Sequence, residues 1–273
     1  ELIKGIIVQS GNDAAICIAE NLSGSEAAFA QRMTKEARAL GLKKSQFRNA
    51  TGLHHPEHLV TAKELAMVAR HLIRDYPEHY PLFALKDYTY KKIKFTNRNP
   101  LLGLVPGADG LKTGFIKEAG YGLVGSVVQE GRRLIVVVNG LATQEERRDE
   151  ARRLIEWGYR NFSEARLFDG QEVVGYARVW GGDRFSVPLV GQSDINMLLP
   201  KAPATPKLTG RIYYTGPLKP PLKRGDQVAV LRVVTQQDAT TEVPLYVAED
   251  VEQGKLWWRG LDSLFHLATR WIR

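Results

Sequence analysis

Apolar positions along this chain fall into two textures. Up to about residue 165, stretches with helical spacing alternate with stretches of strand character. Three helices are signalled by capping boxes, in which a hydroxyl caps the first turn and a Glu three residues on reaches back: Ser23 with Glu26, Thr61 with Glu64, and Thr143 with Glu146. In the second, Leu65, Val68, Leu72 and Ile73 share one face; in the third, Ala151, Leu154, Ile155 and Gly158 do. Another helix runs over Ala14 to Leu22, with Asn12 or Asp13 at its start. These faces need a sheet to cover. Three β-rich runs, 110–116, 121–128 and 133–139, are separated by turn signals at 117–120 and 129–131. Turns this short predict an antiparallel meander that feeds the Thr143 helix. Alternation from Tyr88 to Phe95 reads as one exposed strand.

After about Arg166 the pattern changes. Eight of the 13 prolines lie between Pro188 and Pro244, and short β-rich runs appear at 172–180, 184–189, 207–215, 227–234 and 242–248. This predicts a small all-β sandwich or barrel. Helical spacing returns at the end of the chain. From Lys255 to Arg273, Trp257, Trp258, Leu261, Leu264, Phe265, Ala268, Trp271 and Ile272 fall within an arc of about 140°. Lys255, Arg259, Asp262, His266, Arg270 and Arg273 lie opposite. A tryptophan-bearing apolar face backed by basic residues suits a helix lying in an anionic membrane surface; the plainer reading is a terminal helix packed on its own domain or on a partner. The expected domains are therefore 1–165, 166–253 and 254–273.

Composition adds limits. The 273 residues, 44% hydrophobic and 25% charged, suffice for about two buried cores. A formal charge of +8 and a pI near 9.5 point to an anionic partner without choosing among nucleic acid, acidic polymer and membrane. The lone Cys17 excludes an intrachain disulfide and a cysteine zinc site, and in an Ala/Ile-rich helical pattern it reads as a small buried hydrophobe. No stretch of about 18 apolar residues occurs. Glu1 falls inside what reads as a structured segment, so a start Met, a signal peptide and an upstream piece of the first domain are expected before it.

Two triplets carry the chemistry: Ser10-Gly11-Asn12 and Lys112-Thr113-Gly114. A serine hydroxyl is a weak nucleophile near neutral pH, so acyl transfer needs a proton carrier, donors for the developing oxyanion and an anchor for the substrate. Serine acyl-transfer sites of β-lactamases and penicillin-binding proteins assemble these from S-x-x-K, S-D-N and K-T-G. Alone, each triplet here is an ordinary helix cap or strand end. Their order, with the second inside a three-strand meander, is what signals a site.

Longer stretches extend the likeness: Lys4 to Ala15 (KGIIVQSGNDAA), Phe47 to Leu53 (FRNATGL), Asn97 to Leu102 (NRNPLL), Gly110 to Gly114, Ala119 to Tyr121 and Trp157 to Tyr159. The chain thereby resembles the D-alanyl-D-alanine carboxypeptidases, the low-molecular-mass penicillin-binding proteins, over essentially its whole length. The resemblance implies an α/β (α+β) β-lactamase/transpeptidase-like domain, with an antiparallel sheet flanked by helices, then a small all-β domain and an amphipathic membrane anchor. It implies location at the periplasmic face of the cytoplasmic membrane. The implied partner is a peptidoglycan stem peptide ending in D-Ala-D-Ala, with β-lactams as inhibitors of the full-length protein and with no cofactor, metal or nucleic acid.

By the same resemblance, Ser10 would relay protons to the leaving amine and Asn12 would contact the substrate backbone. Lys112 would lend positive charge and hydrogen-bond Ser10. Thr113 would hold the terminal carboxylate, and the backbone N–H at Phe115, just past Gly114, would supply one oxyanion donor. Arg98 and Arg147 match positions on the carboxylate side of the cleft, although on sequence alone each reads as a solvated surface charge. Phe115-Ile116 stands where many members have His-Thr.

One departure is larger. No Ser in the chain is followed three residues later by Lys, and the only hydroxyl version, Thr89 to Lys92, has unrelated surroundings. The nucleophile and its lysine base are expected upstream of Glu1, leaving this chain unable to form an acyl-enzyme. Two other classes stay open: a β-lactamase-type hydrolase, and a non-catalytic peptidoglycan-binding scaffold. His54, His55 and His58 read as a Pro-containing surface loop rather than a metal site, and the basic run from Lys86 to Lys94 reads as a solvated strand face rather than a nucleic-acid surface.

Overall fold

Helices open the first of two units. A computed structural model describes residues 1–201, 207–235 and 240–254, so the amphipathic segment expected at Lys255 to Arg273 lies outside the described residues. The units are Glu1–Arg160 and Asn161–Arg273. In the first, α1 (Leu2–Lys4) continues as a π-turn, Gly5–Gln9, and the chain restarts at α2 (Asn12–Ser23). Gly24, at φ 76°, stops α2 in the left-handed conformation that glycine adopts without cost. The next cap is then Ser25, whose Oγ accepts from the Ala28 N–H at 3.2 Å to start α3 (Glu26–Ala39). The box expected at Ser23 is thus displaced by two residues, and Glu26 instead accepts from the Ala50 N–H at 3.0 Å.

Thr61 caps α4 (Ala62–Asp75) as expected, accepting from the Glu64 N–H at 3.2 Å. The Glu64 carboxylate is buried and accepts from the Lys44 N–H at 2.9 Å and from the Ser45 hydroxyl, tying the preceding loop to the helix. The run from Tyr88 to Phe95 is a hairpin rather than one strand: β1 (Asp87–Tyr90) and β2 (Ile93–Thr96) pair antiparallel around Lys91-Lys92, both at positive φ (46° and 68°).

The meander forms where it was expected and runs slightly longer, as β3 (Ala108–Ile116), β4 (Gly120–Gln129) and β5 (Arg132–Leu141), in the order β3-β4-β5. Leu111 of β3 packs with Ala69 of α4 and Tyr80, with Leu72 and Ile73 alongside. A second cluster joins Leu101, Leu123, Val127 and Val136 to Ala151 and Ile155 of α5 (Gln144–Asn161). Fully covering side chains such as Leu101 and Leu123 stabilises the unit by about 1.5–3 kcal/mol each. Leu154, expected on the buried stripe of α5, is 42% exposed because it falls at the margin of that arc.

The second unit is all-β. β6 (Phe162–Phe168) pairs with β9 (Ile195–Pro200), while β7 (Val173–Arg178), β8 (Ser186–Val190), β10 (Leu208–Tyr214), β11 (Gln227–Thr235) and β12 (Thr240–Val247) form a sheet ordered β10-β11-β12-β8-β7. Ile195, Met197 and Leu199 of β9 share one core with Val187, Leu189, Leu231, Val233, Leu245 and Val247. Strands β6 and β9 carry no clear turn or alternation signal and went unmarked by the sequence pattern.

Candidate active site

Ser10 sits at the joint between the π-turn and α2. Its N–H reaches back to the carbonyls of both Gly5 and Ile6, and the residue adopts φ 59°, ψ 44°. A left-handed conformation is uncommon for a non-glycine residue and costs on the order of 1–3 kcal/mol, so its surroundings must enforce it. They are well anchored: Ile7 and Val8 on one side and Ala14, Ala15 and Ala19 on the other are all buried. The joint carries the Ser10 hydroxyl to β3, where it accepts a hydrogen bond from Lys112 Nζ.

β3 is itself held in register by β4, with Lys112 opposite Val124, Gly114 opposite Gly122 and Phe115 opposite Tyr121. Near its start, Asp109 accepts from the Tyr80 hydroxyl at 2.9 Å and pairs with Arg133 at 2.7 Å. Lys112 Nζ also donates to the Thr113 carbonyl at 3.0 Å. Burial lowers the Lys112 pKa to about 8, with Arg98 and then Arg147 adding like-charge repulsion. At neutral pH the ammonium is therefore the majority form but a ready proton donor. With Lys112 donating to its oxygen, the Ser10 hydroxyl keeps its own hydrogen for a further acceptor, which is the geometry of a two-step proton relay.

The other expected residues are less uniformly placed. Arg98 is exposed yet near enough to repel Lys112. Arg147 is not the solvated charge its sequence suggested: it is 5% exposed, its guanidinium lies 5.6 Å from the Tyr121 ring centre, and its Nε has no hydrogen-bond partner. Helical spacing carried the signal, because 147, 151, 155 and 158 share one stripe of α5. Asn12 is exposed at the first position of α2, and its side chain makes no hydrogen bond among the described residues. Thr113 is half-buried, and Phe115 is 57% exposed with its ring 4.2 Å from that of Tyr121. A Cβ built at Gly114 would meet nothing within 4 Å, so packing does not explain this glycine.

Lys112, Arg98 and Arg147 thus converge with no ion-paired carboxylate on any of them among the described residues. A half-buried cluster of one sign calls for an anion from outside. The histidines lie elsewhere: His54 faces Glu118 at 4.0 Å and His58 packs edge-on against Phe47. Among the described residues no group of three or more His, Cys, Asp or Glu side chains is arranged to hold a metal ion.

Residues 1–143 match the D-alanyl-D-alanine carboxypeptidase family, and residues 162–253 match the C-terminal domain of penicillin-binding protein 5. D-alanyl-D-alanine carboxypeptidase DacC of Escherichia coli is 35% identical over 274 residues, covering 100% of this chain and 68% of that protein. The crystal structure of penicillin-binding protein 5 from Haemophilus influenzae superposes with a TM-score of 0.78 at 34% identity, over 92% of this chain and 74% of the other. Penicillin-binding protein D2 of Listeria monocytogenes in its ampicillin-bound form superposes with a TM-score of 0.55 at 34% identity, over 58% of this chain and 66% of that one.

Proposed function

Because the chain belongs to the D-alanyl-D-alanine carboxypeptidase family, we propose that its first unit grips the terminal D-Ala-D-Ala of a peptidoglycan stem peptide for a serine-type carboxypeptidase reaction. Family membership supports D-Ala-D-Ala carboxypeptidase activity. The observation that carries the reading for these residues is the contact between Lys112 and Ser10 beside the unpaired, buried Arg147. A peptide laid along β3 over the open side of Gly114 puts its terminal carboxylate by Thr113, Arg98 and Arg147. The scissile carbonyl then lies by the Phe115 N–H, an oxyanion donor, and Asn12 contacts the peptide backbone. Once a serine nucleophile supplied from outside these residues has bonded to that carbonyl carbon, Lys112 and Ser10 pass a proton to the D-alanine amine as its C–N bond breaks, while Lys112 also steadies the carboxylate. β-Lactams enter the same cleft, a reading supported by the ampicillin-bound form of the Listeria protein.

The 273 residues contain no Ser-x-x-Lys, so this chain holds the peptide without acylating on its own. The same reading places its work at the periplasmic face of the membrane, with Lys255 to Arg273 as an interfacial anchor; no described helix is long and apolar enough to cross a bilayer. Calorimetry with diacetyl-L-Lys-D-Ala-D-Ala tests the grip: binding is expected for the free acid and at least tenfold weaker for the C-terminal amide. Equal binding of the two overturns the carboxylate assignment. Fluorescent penicillin is expected to leave no label that survives denaturation, and a covalent adduct would show that these residues do acylate.

A further inference from the structure

The second unit carries charges that the first unit's chemistry does not use. Along β10, Leu208 and Ile212 turn toward the core, which leaves Thr209, Arg211 and Tyr213 on the exposed face. The register sets Arg211 directly opposite Arg232 of β11, and Arg232 opposite Glu242 of β12. A groove of about 750 Å³ runs over this face, lined by Lys207, Arg211, Tyr213, Arg232, Val234 and Glu242 among others.

The arrangement is built at one arginine and open at the other. Arg232 gives Nε and Nη2 to one oxygen of Glu242, at 2.7 and 2.6 Å, and its guanidinium lies 4.6 Å from the Tyr213 ring centre. Arg211 has no ion pair among the described residues. Like charges directly opposed across two strands weaken their pairing, so this face is electrostatically incomplete by itself. Three cations and one carboxylate leave the groove at +2 (Lys207, Arg211 and Arg232 less Glu242). An apolar partner would strand the unpaired arginine. An anionic chain of sugar rings satisfies both halves, its carboxylates meeting Arg211 and Lys207 and the C–H face of a ring lying on the exposed Tyr213 ring.

We infer that this groove is a second binding site for the wall polymer itself: a peptidoglycan glycan strand with its carboxylate-bearing stem peptides. The choice of polymer rests on the function proposed above, whereas the requirement for an anionic chain rests on the groove alone.

Co-sedimentation of the full chain with purified, insoluble peptidoglycan tests it. Arg211 and Tyr213 are exposed, so Arg211→Gln/Tyr213→Ser is expected to keep its thermal midpoint and to lose at least fivefold in polymer affinity. Arg211→Lys, keeping the charge, is expected to stay within threefold. Lys63→Gln, an exposed charge on α4 of the first unit with no part in the proposed peptide site, is expected to leave sedimentation within twofold. If the groove variant sediments like the parent, or loses affinity for anionic vesicles or for an oligonucleotide while keeping the polymer, the inference is wrong. If Arg147→Gln alone abolishes sedimentation, the peptide-holding role stands and the groove falls. If the chain binds no D-Ala-D-Ala peptide yet the groove variant still releases the polymer, the groove stands without that role.

Discussion

Replacing Arg147 by Gln separates binding from stability, because the structure gives the two effects opposite signs. Arg147 is 5% exposed as a residue, has an unpartnered Nε and forms no ion pair among the described residues. Without ligand, this is a buried charge held at a cost, and burial lowers its pKa. A neutral amide at this position removes that cost, so the thermal midpoint is expected to hold or rise. With a peptide carboxylate present, the arginine supplies charge-assisted hydrogen bonds worth about 1.5–3 kcal/mol, and its loss weakens binding by about tenfold to about 150-fold.

Calorimetry with diacetyl-L-Lys-D-Ala-D-Ala as acid and amide reads the effect: the variant is expected to lose most of its preference for the acid. Arg98→Gln, at an exposed and screened position, is expected to lose less. The Lys112 midpoint offers an internal check. Its displacement from 10.5 to about 8 has burial as the largest cause and Arg147 as the third of three, so Arg147→Gln raises it by less than about 1. Binding of the acid within twofold of the parent, a larger loss in Arg98→Gln, or a clear fall in thermal midpoint would refute the reasoning.

Three further outcomes are expected. Lys112 binds its proton less tightly folded than unfolded, so the unfolded chain holds more protons between about pH 8 and 10.5 and stability rises across that window. The rise is up to about 3 kcal/mol, taken as 2.5 pH intervals at 1.36 kcal/mol each; denaturant titrations should show it in the parent and not in Lys112→Met. The Cβ of Gly114→Val would meet nothing within 4 Å, so this variant should keep the parental melting curve while cutting peptide affinity at least tenfold; unchanged affinity means that nothing lies over that strand. Deleting Lys255 to Arg273 should release the protein from anionic vesicles in a flotation assay, and undiminished flotation removes the anchor from the proposal.

The sequence made the meander legible because its three β-rich runs are separated by two short turns that each contain a glycine, Gly120 and Gly131. It made α4 legible because Thr61 caps it and four apolar residues fall on one stripe. The hairpin at Tyr88 to Phe95 was hidden, because a two-residue turn with both residues at positive φ is usually marked by Asn or Gly, and here it is Lys91-Lys92. β9 was hidden for a different reason: Leu198 is 45% exposed between buried Met197 and Leu199, so apolar residues occupy both faces and alternation disappears. At the site, Ser10 and Lys112 were legible as chemistry. The burial of Arg147 was written only in helical spacing, and its formal charge masked that stripe.

Backbone conformation at the joint bears on how this chain tolerates change. At positions 10 and 11 the residue types are the reverse of what the chain's own shape favours. Serine takes the left-handed conformation, while Gly11 next to it has φ −65°, which any residue adopts. Selection on folding alone, as in a randomised library sorted for protease resistance, would drift position 10 toward Gly or Asn. Selection on peptide retention would hold it at Ser. The residue recovered there therefore reports which pressure acted on a given population, and a lineage that no longer needs the hydroxyl is expected to lose it at this position early.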